Sequence, residues 1–137
     1  MEPVKILIVD DDELICESLK QLFLTRGYAV DCAGDGHVAL ERIKKGNYGI
    51  VVSDIRMPRL GGLNLLSEIK TFNPHIEVIM ITAHANLDTA LQCMGNGAFG
   101  FFQKPIESME EVYEILGKAA DVHLLKKKMI LKAMSGK

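Results

Sequence analysis

A chain of 137 residues carries enough material for one domain with a real core. Its formal charge of −2 supplies no field to hold a polyanion, so nucleic-acid binding is not expected of this domain. The longest apolar runs, 6–9 and 76–81 (the latter interrupted by Glu77), fall far short of the roughly 20 residues that cross a bilayer, so no membrane association is expected either.

The first strand begins so close to Met1 that a secretory leader has no room. Cys16, Cys32 and Cys93 are odd in number, widely separated and fit no metal spacing. A cytoplasmic chain with buried free thiols is the expectation.

In chain order, Lys-Ile-Leu-Ile-Val (5–9) is a short apolar run ending in acids, which suits a strand buried on both faces. Residues 13–26 carry Ile15, Leu19, Leu22 and Phe23 at helical spacing, and Gly27 closes that helix. Residues 29–33 are short and β-compatible, and 38–45 read as a second helix with Gly46 behind it. A third strand over 49–53 again ends at an acid, Asp54.

Residues 63–72 are amphipathic and stop at Asn73-Pro74, because a residue before proline avoids helix. Residues 78–81 form the most apolar strand, and 87–94 a helix with Asn86 as its cap. A short strand covers 99–102. Ser108 and Glu111 then stand as a capping box opening a last helix, with Val112, Ile115, Leu116 and Ala119 on one face. Strict β–α alternation implies a parallel sheet with helices on both faces, in a doubly wound α/β arrangement. Ligands then bind beyond the carboxyl ends of the strands.

Those ends carry the chemistry. The first delivers Asp10, Asp11 and Asp12, the third Asp54, the fourth Thr82, and the fifth Lys104 before Pro105. Clustered carboxylates repel unless a cation compensates them, and oxygen donors without His or Cys favour a hard ion such as Mg²⁺. An ammonium and a hydroxyl complete a set matched to the equatorial oxygens of a transferring phosphoryl group. Asp54 is the carboxylate nucleophile of that set. Asp12 is either a further ligand or the cap of the first helix. Capping is preferred, because Asp10 and Asp11 follow directly from the strand.

These motifs resemble the receiver domain of two-component response regulators over residues 5–122: Ile-Leu-Ile-Val-Asp-Asp (6–11), Ser-Asp-Ile-Arg-Met-Pro (53–58), Ile-Thr-Ala (81–83) and Lys-Pro (104–105). The stretches 53–58 and 80–84 are similar to receivers of the nitrogen-regulation type. The resemblance implies a flavodoxin-like sheet of five strands in order 2-1-3-4-5. It implies a phosphoacceptor at Asp54, Mg²⁺ held by Asp10, Asp11, Asp54 and the Arg56 carbonyl, and phosphoryl-sensing Thr82 and Lys104. Phe101 takes the aromatic switch position, and a cis Lys104–Pro105 bond is implied. A sensor histidine kinase or phosphotransfer protein is the implied donor, and the implied switching face is helix four, strand five and helix five.

Arg56 and His84, each two residues past a site residue, are expected to border the approach of hydrolytic water. His37, His75 and His123 are expected at the surface. The lysines at 126–128 and Lys132 read as the solvated face of an extended last helix rather than a nucleic-acid patch. Val122, Leu125 and Met129 suggest pairing with a second copy there. The expected division is a receiver over 1–122 and a helical extension over 123–137, standing alone or leading to a C-terminal effector domain.

The competing class is a Mg²⁺-dependent phosphatase with an aspartyl-phosphate intermediate. Such enzymes place a general-acid Asp two residues after the nucleophile, where this chain has Arg56, so turnover as an enzyme is not expected. A third reading, a degenerate docking module, is disfavoured by the complete set of site residues.

Overall fold

The computed structural model describes residues 3–57 and 59–136; Pro58 of the 53–58 motif lies outside the described residues. The elements are β1 (Lys5–Val9), α1 (Glu13–Leu24), β2 (Ala29–Ala33), α2 (Gly36–Lys45) and β3 (Ile50–Asp54). They continue with α3 (Gly62–Phe72), β4 (Glu77–Thr82), α4 (Leu87–Gly95), β5 (Gly100–Gln103) and α5 (Met109–Met134). The five strands are all parallel, in the order β2-β1-β3-β4-β5.

The strands read as unbroken apolar runs because each face of the sheet meets helices. Leu7, Val9, Val51, Val78 and Met80 pack with α2, α3 and α4 through Ala39, Ile43, Leu65, Ile69 and Cys93. Alternate residues Ile6, Ile8, Ile50, Val52, Ile79 and Ile81 pack on the other face with α1 and α5 through Leu19, Phe23, Val112 and Leu116. The strand period of two therefore divides one apolar run between two cores.

Polar caps turn the chain from strand to helix. Asp12 accepts from the Leu14 and Ile15 N–H groups, Asp35 from Val38, and Ser108 from Glu111. Asn86 and Thr89 cap α4 reciprocally. Asp35 starts α2 at Gly36, two residues earlier than the apolar period suggests, because the cap rather than the first apolar residue sets the boundary. Likewise α3 opens at Gly62, whose missing side chain has a purpose. A Cβ there would collide with the Asp54 carbonyl oxygen and stand 2.7 Å from the Ile55 Cα. Glycine lets α3 press against the end of β3 and fix Asp54 in place.

At the opposite pole, two expectations are corrected. His123 is not at the surface: it is 5% exposed, under Gly49, where a Cβ would stand 2.6 Å from the imidazole. Its Nδ1 lies 2.7 Å from the His75 carbonyl oxygen, which can only accept, so that nitrogen carries the proton. Nor is Lys126 a free solvated charge, although nearly half of its side chain is exposed. It pairs at 2.8 Å with Glu77, a side chain 3% exposed that also faces Lys70 at 3.7 Å. These contacts tie α5 to the sheet beyond Val122, while Lys128 and Lys132 do face solvent.

The His75 ring meets His123 with 3.3 Å between Nδ1 atoms. Burial, reinforced by His123, holds the His75 imidazole below its usual pKa of 6.5. The native state therefore binds this proton less readily than the unfolded chain. The resulting stability is complete above pH 6.5 and is lost as pH falls through the depressed native value. Urea unfolding at pH 7.5 and 5.5 is expected to show a smaller acid loss in His75→Gln than in the parent; equal losses would remove His75 from the pH response.

Candidate functional site

The sheet register assembles the site. Val9 of β1 pairs with Ser53 of β3, so Asp10 and Asp54 emerge side by side. Asp54 pairs with Ile81, and Thr82 with Gln103, so Thr82 and Lys104 reach the same rim from β4 and β5. The order β2-β1-β3 puts Asp10 where the chain switches direction across the sheet, the crevice where doubly wound folds bind ligands.

Asp10, Asp11 and Asp54 each bring a carboxylate oxygen within 4.8 Å of the others. Lys104 Nζ donates to Asp10 Oδ2 at 2.6 Å and to Asp54 Oδ2 at 2.9 Å. The other Asp54 oxygen accepts from the Arg56 N–H at 3.3 Å, and Asp10 Oδ1 from the Asp12 N–H at 2.9 Å. Asp10 is buried, Asp54 half-buried and Asp11 exposed, which leaves the cluster open on one side.

Burial raises the Asp10 pKa, and the Asp54 charge adds to that, against hydrogen bonds from Lys104 and the Asp12 amide. For Lys104, burial works to lower the pKa, but its bonds to Asp10 and Asp54 outweigh it and raise the ammonium. The pocket is thus an electronegative oxygen cage with one internal cation. A cage with surplus carboxylates and no nitrogen or sulfur donor fits a small hard cation.

Other expected residues fall nearby. Thr82 is buried, and its Oγ1 accepts from the His84 N–H at 3.2 Å. The Arg56 and His84 side chains are exposed. Phe101 is half-buried against the α2–α3–α4 core. The Lys104–Pro105 bond is cis. Asp12 caps α1, in agreement with the preferred reading. Arg59 adopts a left-handed φ of 67° and pairs with Asp35 at 3.2 Å, pinning the β3–α3 loop to the start of α2.

Two features escaped sequence reasoning. Leu14 is 80% exposed beside Lys104, at the rim of an apolar groove of about 510 Å³ with Ile15, Leu19, Pro105, Ile106 and Met109. A leucine so soon after an acid cluster is the one signal that could have exposed it. Cys16 places its sulfur 3.7 Å from the Asp10 carbonyl oxygen, a contact for which sequence offers no signal.

Comparisons with known proteins bear on the same residues. Residues 6–116 match the family model of the response regulator receiver domain. The transcriptional regulatory protein ZraR of Klebsiella oxytoca is 42% identical over 106 residues, 77% of this chain and 24% of that protein. The chain thus spans about a quarter of the curated relatives it matches. Among solved structures, NtrX from Brucella abortus in complex with ADP superposes with a TM-score of 0.84 at 31% identity, covering 93% of this chain and 29% of that one. The response regulator TrrA from Thermotoga maritima, in complex with Mg²⁺-BeF, superposes with a TM-score of 0.77 at 32% identity, covering 85% of this chain and 98% of that one. Asp10, Asp11, Asp54, Thr82 and Lys104 all lie inside the matched span, and on that match, along the length of the sheet, the chain belongs to the response regulator receiver domain family.

Proposed function

We propose that this chain takes a phosphoryl group from a histidine kinase onto Asp54, in a Mg²⁺-dependent transfer that it catalyses itself, and switches the α4–β5–α5 face in response. The observation carrying this reading is the bridging position of Lys104, bonded at once to Asp10 and Asp54 at the rim where β1 and β3 end. A solvated surface lysine has no reason to hold two acids. An ammonium placed to follow phosphoryl oxygens does.

In this mechanism a carboxylate oxygen of Asp54 attacks phosphorus as the P–N bond of a phosphohistidine breaks. The departing imidazole keeps the bonding electrons and takes a proton, leaving an acyl phosphate. Asp10, Asp11, Asp54 and the Arg56 carbonyl would hold the Mg²⁺, which supplies charge neutralisation for the transferring oxygens. Lys104 and Thr82 hold the phosphoryl oxygens, and the groove beside Leu14 receives an apolar helix face of the donor. The α4 surface, with Leu87, Leu91 and Met94 exposed, is the output side together with Phe101 and α5. Residues 1–122 form the receiver unit in this reading, and 123–137 a helical extension leading to a C-terminal effector such as the longer relatives have room for.

Incubation with acetyl phosphate tests the reading. One phosphoryl group per chain is expected with Mg²⁺ and none with a chelator, trapped at Asp54 by borohydride reduction. Chelator-resistant labelling, or label on Ser53 or Thr82, would overturn it.

Lys104 should couple phosphorylation to conformation more than it drives transfer. Lys104→Ala is expected to remain labelled but to lose the change in amide exchange along α4 and around Phe101. A normal exchange response in the labelled variant would assign the coupling to another group.

A further inference from the structure

Cys16 and Cys32 play no part in the chemistry above, yet they open into one cleft beside it. On the β1–β2 ladder Cys32 is the direct partner of Ile8, so its side chain shares the sheet face that α1 covers. Cys16, reaching inward from α1, sets its sulfur 3.8 Å from the Ile8 carbonyl oxygen and 3.7 Å from that of Asp10. Neighbouring strands lie only about 4.8 Å apart, so the two thiols converge on the same step of the ladder. Both line a cleft of about 420 Å³ whose wall also carries Asp10, Glu13 and Glu17.

We propose that the Cys16–Cys32 pair binds a soft, thiophilic monovalent metal ion of the cuprous type. Thiolates select such ions over hard ones, and two donors complete a linear site. The carboxylates along the wall draw a cation into the cleft. Both cysteines are free, Cys16 buried and Cys32 half-buried. A metal ion displaces the thiol protons as it binds. Two S–H bonds break, two S–Cu bonds form, two protons pass to solvent, and no electron is transferred.

The bound unit carries one net negative charge where two neutral thiols stood. It therefore draws a divalent cation more strongly to Asp10 and Asp11, and by linkage that cation tightens cuprous binding by the same factor. This coupling rests on the Mg²⁺ reading above; the cuprous site itself does not.

The test is an anaerobic titration of the full chain with Cu(I) against a chromophoric Cu(I) chelator, in Mg²⁺-free buffer. One equivalent is expected for the parent and for Cys93→Ser, and none for Cys16→Ser or Cys32→Ser. Should the buried Cys16→Ser fail to fold, the half-exposed Cys32→Ser decides, with circular dichroism as the fold control. Full binding by a folded Cys32→Ser, loss in Cys93→Ser, or no equivalent in the parent would overturn the site. A repeat with Mg²⁺ is expected to show tighter binding, and unchanged binding there would overturn the coupling alone.

Discussion

Asp54→Asn is expected to reduce phosphoryl uptake from a small donor to background. The amide matches the carboxylate in size and keeps an oxygen to accept the Arg56 N–H, bonded at 3.3 Å in the parent, so the β3–α3 turn should survive. What is lost is the anionic oxygen. A carboxamide is a poor nucleophile toward phosphorus and cannot form an acyl phosphate. The substitution also leaves Lys104 paired with Asp10 at 2.6 Å, which preserves the rim. Intact mass after acetyl phosphate treatment gives the readout, with thermal unfolding as the fold control. Undiminished labelling in a folded variant would place the phosphoacceptor elsewhere.

The second large effect lies at the far pole. Lys70→Met with Lys126→Met is expected to destabilise the fold by about 3–5 kcal/mol, the usual cost of stranding a buried charge. Glu77 is 2% exposed as a residue, and these two lysines are its ion-pair partners among the described residues. Lys70 also donates to the Pro74 and Ile76 carbonyls at 3.1 and 2.8 Å, so it should carry the larger share. Lys126 is nearly half exposed, and its removal alone should cost about 1 kcal/mol or less. Adding Glu77→Gln to the double variant should restore most of the loss, since no charge is then stranded. Urea unfolding with an unchanged slope checks each step. No recovery on adding Glu77→Gln would mean the lysines stabilise through packing rather than charge.

The alternation of strands and helices was legible because buried parallel strands leave continuous apolar runs, each punctuated by a cap or a glycine. The rim was legible for a related reason: four strands end on polar residues at matching points, and a parallel sheet aligns its carboxyl ends. The far pole was not. Glu77 read as a mere interruption of an apolar run, and a lysine on a late helix looks the same whether it is solvated or paired across 49 positions. His123 misled for the same reason, since its burial depends on where α5 crosses Gly49. Helix boundaries shifted because the Asp35 cap sets the start of α2 and close approach at Gly62 sets that of α3, neither of which an apolar period records.

Helix α5 runs unbroken from Met109 to Met134, and its last anchors to the sheet are His123 and Lys126. From His123 the helix extends about 16 Å further at 1.5 Å per residue. A rigid rod held near its middle behaves as a lever. Tilting it by about 5° would carry its tip sideways by about 1.4 Å, a displacement comparable to the small helix shifts that repack subunit interfaces. The fulcrum sits at the pole away from Asp54, so any strain on the near end of α5 would emerge at its far tip as a swing of opposite sense.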